Sequence, residues 1–146
     1  MNRHELTEKR MKNFGEWLLS LPEDRVTLSE IAAGTRRIFD LQYCSIHVCA
    51  DGKWHHYTGS ASDNLSRYVA DSLKVAKDHQ AGVIELAEEQ SLGVRYSMIQ
   101  GQWGPIAVLV VRSEYLSMDA IDTIASMIGM LLIEILKDRT ETVVSL

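Results

Sequence analysis

Gly101-Gln-Trp-Gly-Pro-Ile-Ala-Val-Leu-Val-Val111 decides how the chain is layered. The two glycines bracket a turn, and Pro105 falls at the start of the run that follows, a position where a strand tolerates its missing N–H. From Ile106 to Val111 both alternating sets of side chains are apolar. A strand apolar on both faces is a central one, covered above and below. Upstream, Val94, Tyr96 and Met98 alternate with Arg95, Ser97 and Ile99, so a second strand leads into the same turn. Gly101-x-x-Gly104 is therefore a hairpin turn and not a phosphate cradle, because a strand follows it where a helix N-terminus would be needed.

A second hairpin is written in Tyr43 to Thr58. Asp51-Gly52 separates two runs rich in β-formers, and a type I′ turn needs positive φ at both central positions, which Asp and Gly tolerate best. Ala50 then faces Lys53, and counting outward pairs Cys49 with Trp54, Val48 with His55, His47 with His56 and Ile46 with Tyr57. Alternation puts Tyr43, Ser45, His47, Cys49, Trp54 and His56 on one face and Cys44, Ile46, Val48, His55 and Tyr57 on the other. His47, Cys49 and His56 form the nearest approach to a metal set, since imidazole and thiolate are the usual zinc ligands. No fourth ligand or second shell accompanies them, and cross-strand histidines commonly bind nothing, so no metal is expected. Cys44 and Cys49 point to opposite faces and cannot bridge.

Helices flank these strands. Met11, Phe14, Leu18 and Leu21 have helical spacing and stop before Pro22, which forbids continuation. Thr27-Leu-Ser-Glu30 is a capping box with Val26 and Ile31 as a staple, so a second helix starts at Leu28. The loop from Gly59 to Asp63 leads into a third helix over about 64–77, burying Leu65, Tyr68, Val69, Leu73 and Ala76. Val83-Ile-Glu-Leu86 is a short strand, and Glu88-Glu89 lies in a solvated turn. A last helix starts near Ser117 and runs at least to Arg139.

Composition bounds what such a chain can do. Its 146 residues give room for one domain with a proper core, and 46% hydrophobic with 24% charged residues describes a soluble globular protein. No run approaches the roughly 20 apolar residues of a membrane helix, and the amino end is a polar helix rather than a secretion signal. Two cysteines that cannot pair suit a reducing compartment, so a cytoplasmic site is expected. A net charge of −5 argues against a nucleic-acid surface, and Arg36-Arg37 alone is a solvated helix face.

The last helix carries more apolar surface than one sheet needs. Ile121, Ile124, Ala125, Ile128, Leu131, Leu132 and Ile135 make a covering stripe, while Met127, Met130, Ile133 and Leu136 lie at or beyond its edge. A helix apolar on most of its circumference packs against its own domain on all sides or against a partner. A homodimer through the terminal helices is expected, with Met11, Phe14, Leu18, Met127, Met130 and Ile133 as interface candidates. The segment after Lys137 lacks a Gly stop, and the chain is expected to be an excised piece of a longer one.

The order of elements, the turn-and-strand phrase Gly101 to Val111, and Leu116-Ser-Met-Asp-Ala-Ile-Asp-Thr-Ile-Ala-Ser-Met-Ile-Gly-Met130 with its apolar run to Leu136 resemble a GAF domain, and more narrowly the GAF domain preceding the kinase core of KdpD-like sensor histidine kinases. The resemblance covers most of the chain. It implies an α/β (α+β) fold: an antiparallel central sheet of five to six strands with helices on both faces, the first and last packed together as a dimer-facing layer. The opposite face, with the third helix, would frame a small-molecule pocket. Tyr43, Ser45, His47 and His56 then become ligand-site candidates, with Tyr68, Tyr96 and Met98 completing the lining.

Known chemistries of the family find little support. The cyclic-nucleotide subset carries an Asn-Lys dipeptide that does not occur here, and neither Cys44 nor Cys49 is placed for bilin attachment. Haem ligation would need His47 or His56 as axial ligand. The enzyme alternative is a redox or metal-dependent activity of the methionine-sulfoxide reductase kind using Cys49 with His47 and His56. It needs a nucleophilic and a resolving cysteine within reach, and Cys44 and Cys49 make a poor pair. The expectation is a non-catalytic sensory module of a two-component kinase, dimeric, without resident cofactor, acting on a downstream kinase segment and contacting neither nucleic acid nor the membrane interior.

Overall fold

A computed structural model describes residues 2–22, 25–50, 53–58, 94–101 and 104–139. The first helix, α1, spans Arg3–Ser20 and is capped by Asn2, whose Oδ1 accepts from the Glu5 N–H at 2.8 Å. It ends at Leu21, in extended conformation, as Pro22 requires. The second, α2, spans Leu28–Phe39, and Thr27 Oγ1 accepts from the Glu30 N–H at 3.2 Å. Val26 and Ile31 are both buried, as a staple demands. Asp40 closes this helix in the left-handed region at φ 52°, and Leu41 N–H reaches back to the Arg36 carbonyl at 2.9 Å, the long bond of a Schellman motif. The last described helix, α3, spans Met118–Arg139, with Ser117 Oγ accepting from the Ala120 N–H at 3.2 Å.

Four antiparallel strands, β1 (Tyr43–Ala50), β2 (Lys53–Thr58), β3 (Val94–Gly101) and β4 (Gly104–Arg112), lie in the order β2-β1-β4-β3. The first hairpin has the register expected from the sequence: His47 faces His56, Val48 faces His55 and Ala50 faces Lys53. The apolar β4 is central, between β1 and β3, with Ile46 facing Leu109 on one side and Ser97 facing Leu109 on the other. Five or six strands were expected. Four occur among the described residues, and the strand expected at Val83–Leu86 and the helix expected over 64–77 lie outside them.

All three described helices pack on one face. Phe14 and Leu18 of α1, Ile31, Ala32 and Phe39 of α2, and Ile121, Ile124 and Ile128 of α3 join Cys44, Ile46, Ile99, Ala107, Leu109 and Val111 in one core. Each fully buried Ile or Leu there contributes about 1.5–3 kcal/mol, so α3, with three isoleucines at 0% exposure, is held more firmly than α1. Two glycines set the approach distances. A Cβ on Gly129 would sit 2.6 Å from the Gln100 carbonyl oxygen, beside the register shift between Ile99 and Gln100, so α3 rests directly on the irregular part of β3. A Cβ on Gly34 would meet Trp17 Cη2 at 2.0 Å, so the indole of α1 fills the space beside the backbone of α2 that a side chain would need. Gly15 faces the Met127 methyl, which brings the first and last helices together within the chain.

Candidate functional site

Strand parity turns Tyr43, Ser45 and His47 of β1 away from the helices. Register places them beside Arg112, Val110 and Val108 of β4, and Val94, Tyr96 and Met98 of β3 continue the row across. Tyr43, Ser45, His47, Val94, Val108 and Val110 are all 0% exposed, while Tyr96 and Met98 are half-buried. The face is thus a floor of two valines with a polar line along one side. Ser45 Oγ and His47 Nε2 lie 2.7 Å apart, a buried hydrogen bond between side chains two positions apart on one strand. Hydroxyls and imidazoles buried in this way must be bonded, since an unsatisfied one costs a few kcal/mol.

Of the expected lining, Tyr43, Ser45, His47, Tyr96 and Met98 share this face. His56 is opposite His47 in the backbone register, but its side chain, that of Cys49, and Tyr68 lie outside the described residues. Val108 and Val110 were not singled out in the sequence as site residues. Their signal was present in the strand's second apolar set, which reads equally well as core.

Cys44 is on the helix side and fully buried, and that burial pushes its thiol up to about 12 against the weaker pull of Arg36. It is a neutral thiol at any physiological pH and has no nucleophilic character. Among the described residues, no group of three His, Cys, Asp or Glu side chains is gathered for a metal ion.

The dimer candidates separate into two kinds. Phe14 and Leu18 are core residues of the chain's own fold, at 0% and 5% exposure, and offer no surface to a second copy. This corrects their assignment: an amphipathic stripe has the same spacing whichever body covers it. Met11 and Met127 are half-buried against the same core, as are Leu131 and Leu132. The outward stripe of α3 is Asp119, Thr123, Ser126, Met130 and Glu134, so of the surplus apolar residues expected on this helix Met127 and Ile133 are partly covered within the chain and Met130 is not, while the side chain of Leu136 lies outside the described residues. Met130 at 69% is exposed and Ile133 half-buried; Leu19 of α1, at 89%, is an exposed apolar residue that the sequence pattern did not single out.

No family model and no curated protein matches the sequence. Among solved structures, the chain is similar to the GAF domain of A. aeolicus nlh2, crystallised in an inactive state, with a TM-score of 0.51 and 10% identity, over 94% of this chain and 99% of that one. At that identity the likeness concerns the fold, which is GAF-like.

Proposed function

We propose that the chain is a non-catalytic GAF-type sensory or regulatory module, dimeric through its terminal helices, that relays a signal to the kinase segment of a KdpD-like sensor histidine kinase in a two-component system. The observation that carries this reading is the buried polar line on the sheet face turned away from the helices, where Ser45 and His47 are bonded at 2.7 Å beside Tyr43. Sites for small organic molecules are mostly apolar with a few placed polar groups, and Val108, Val110, Tyr96 and Met98 supply the apolar part. A small molecule held there would press on β1 and β4, whose opposite sides carry the helix layer. The GAF-like fold supports the module class, and the fully buried, neutral Cys44 weighs against a two-cysteine redox enzyme.

The helical layer would carry the signal onward. Met130 and Ile133 of α3 and Leu19 of α1 are the apolar side chains a second copy would cover. A cytoplasmic setting, with no nucleic-acid partner and no direct membrane insertion, fits the acidic charge of −5; among the described residues no helix is long and apolar enough to cross a membrane. Light scattering on the wild type and on the Met130→Glu/Ile133→Glu double variant tests the dimer. A dimer that becomes a folded monomer is the expected pair of results, and a wild-type monomer rejects the helical interface.

A further inference from the structure

The C-terminal carbonyl of α2 is held by side chains from two other elements. Phe39 ends that helix, and the Schellman turn engages the Arg36 and Arg37 carbonyls but leaves the Phe39 oxygen for partners elsewhere. The hydroxyl of Tyr115, in the loop that leads into α3, donates to this oxygen. Arg10 Nη1, from α1, reaches the same oxygen at 3.2 Å and the Tyr115 hydroxyl oxygen at 2.7 Å. Its guanidinium carbon is 5.3 Å from the centre of the Tyr115 ring. A cation at a helix C-terminus is favoured by the macrodipole, and a charge-assisted bond is stronger than a neutral one. Three segments, 29 and 76 residues or more apart in the chain, meet at one oxygen.

The helix that supplies Arg10 is the least embedded of the three. Only Phe14 and Leu18 of α1 are buried, and Gly15 in its middle lowers its own helix propensity. Its other attachments include Phe14 and Leu18 in the core with Met11 packed against it, Phe14 against Phe39 at 5.2 Å, Trp17 over Gly34 and Arg37, and Gly15 against Met127. By contrast, α3 places isoleucines at 121, 124 and 128 in the core and rests on Gln100 through Gly129. Segments with few buried side chains open locally, below the free energy of global unfolding.

We propose that Arg10, Tyr115 and the Phe39 carbonyl form a latch that docks α1 onto the domain, so that α1 releases as a unit when the latch opens while the sheet, α2 and α3 stay folded. Arg10 and Tyr115 are positioning residues in this device. The inference stands on the packing of α1 alone and holds whether or not the module senses a ligand.

Amide hydrogen exchange read by mass spectrometry on the intact chain tests it with Arg10→Gln and, as a gentler variant that keeps the ring, Tyr115→Phe. The expected result is about tenfold faster exchange across residues 3–20 in both variants, the scale of one lost charged hydrogen bond, with β1, β4 and α3 unchanged. Unchanged exchange in α1 would overturn the latch. Acceleration of every element together would overturn it too, because the cluster would then be a brace of the whole core.

Discussion

The two faces of the sheet are equally closed to water at their centre and closed with different chemistry. On the helix side, Cys44, Ile46, Ala107, Leu109 and Val111 meet three helices, and the buried polar side chains there, Thr35 and Ser97, are bonded to the Ile31 carbonyl and to Asp122. On the other, Tyr43, Ser45 and His47 are as fully buried beside Val108 and Val110. Burying apolar surface stabilises without conditions, whereas a buried hydroxyl or imidazole does no better than break even once its bonds are made. A sheet that needed only stability would carry aliphatic residues on both sides. More of the stability is therefore expected from the helix side, and the polar side is the one the proposed recognition role would use.

The largest effect is expected from the helix side. Leu109→Ala empties the middle of the central strand, between Ile46 and Ser97, and should cost about 2–5 kcal/mol in urea unfolding. A cost under about 1 kcal/mol would mean that this face is not the core. Gly129→Ala drives a methyl to within 2.6 Å of the Gln100 carbonyl and should cost about 1–3 kcal/mol by displacing α3 from β3, visible as a lowered melting temperature. On the polar side, Ser45→Ala takes a partner from the buried His47 Nε2 and should cost about 1–3 kcal/mol, less than the leucine.

Cys44 gives a pH test of the helix side. Its folded value, about 12, lies above the ordinary 9.0, so folding favours the protonated thiol. That contribution is fully present below 9.0 and is lost as pH rises toward 12, since the unfolded chain ionises first. Urea unfolding on either side of 9.0 should show the wild type losing more stability with rising pH than Cys44→Ala does. In a Cys49→Ser background the remaining thiol should ignore an aromatic disulfide reagent at neutral pH until urea unfolds the chain; rapid labelling would place Cys44 at the surface.

The smallest effect is at a helix end. Asp40 holds φ 52°, where glycine is at ease, and Asp40→Gly should change stability by no more than about 1 kcal/mol. The direction balances relief of the left-handed strain against a more flexible unfolded chain. A larger loss would mean that the Asp40 side chain does more than end α2.

Local signals in the sequence agree with the described structure at several places where chemistry acts over a few residues. The register expected from Asp-Gly holds from Ala50–Lys53 to Ile46–Tyr57, and Thr27 and Ser117 marked their helix starts. Parity then placed the polar set of β1 on one face. What stayed hidden depends on where distant segments meet. Phe14 and Leu18 could face the chain's own core or a partner with the same spacing, and only packing decides between these. Nothing near Arg10 announces a carbonyl 29 residues away, or the hydroxyl of Tyr115 beyond it. Gly34 gives no sign in the sequence that its missing Cβ accommodates an indole from α1.

The most direct test of the division between the faces replaces the polar pair jointly. In Ser45→Ala/His47→Leu both partners of the 2.7 Å bond become apolar at similar volume. The expected loss in urea is smaller than that of His47→Leu alone and well below that of Leu109→Ala, because removing both partners of one bond together costs less than orphaning either. A loss of about 2–5 kcal/mol, equal to that of Leu109→Ala, would contradict the division and make the buried Ser45–His47 pair part of the structural core.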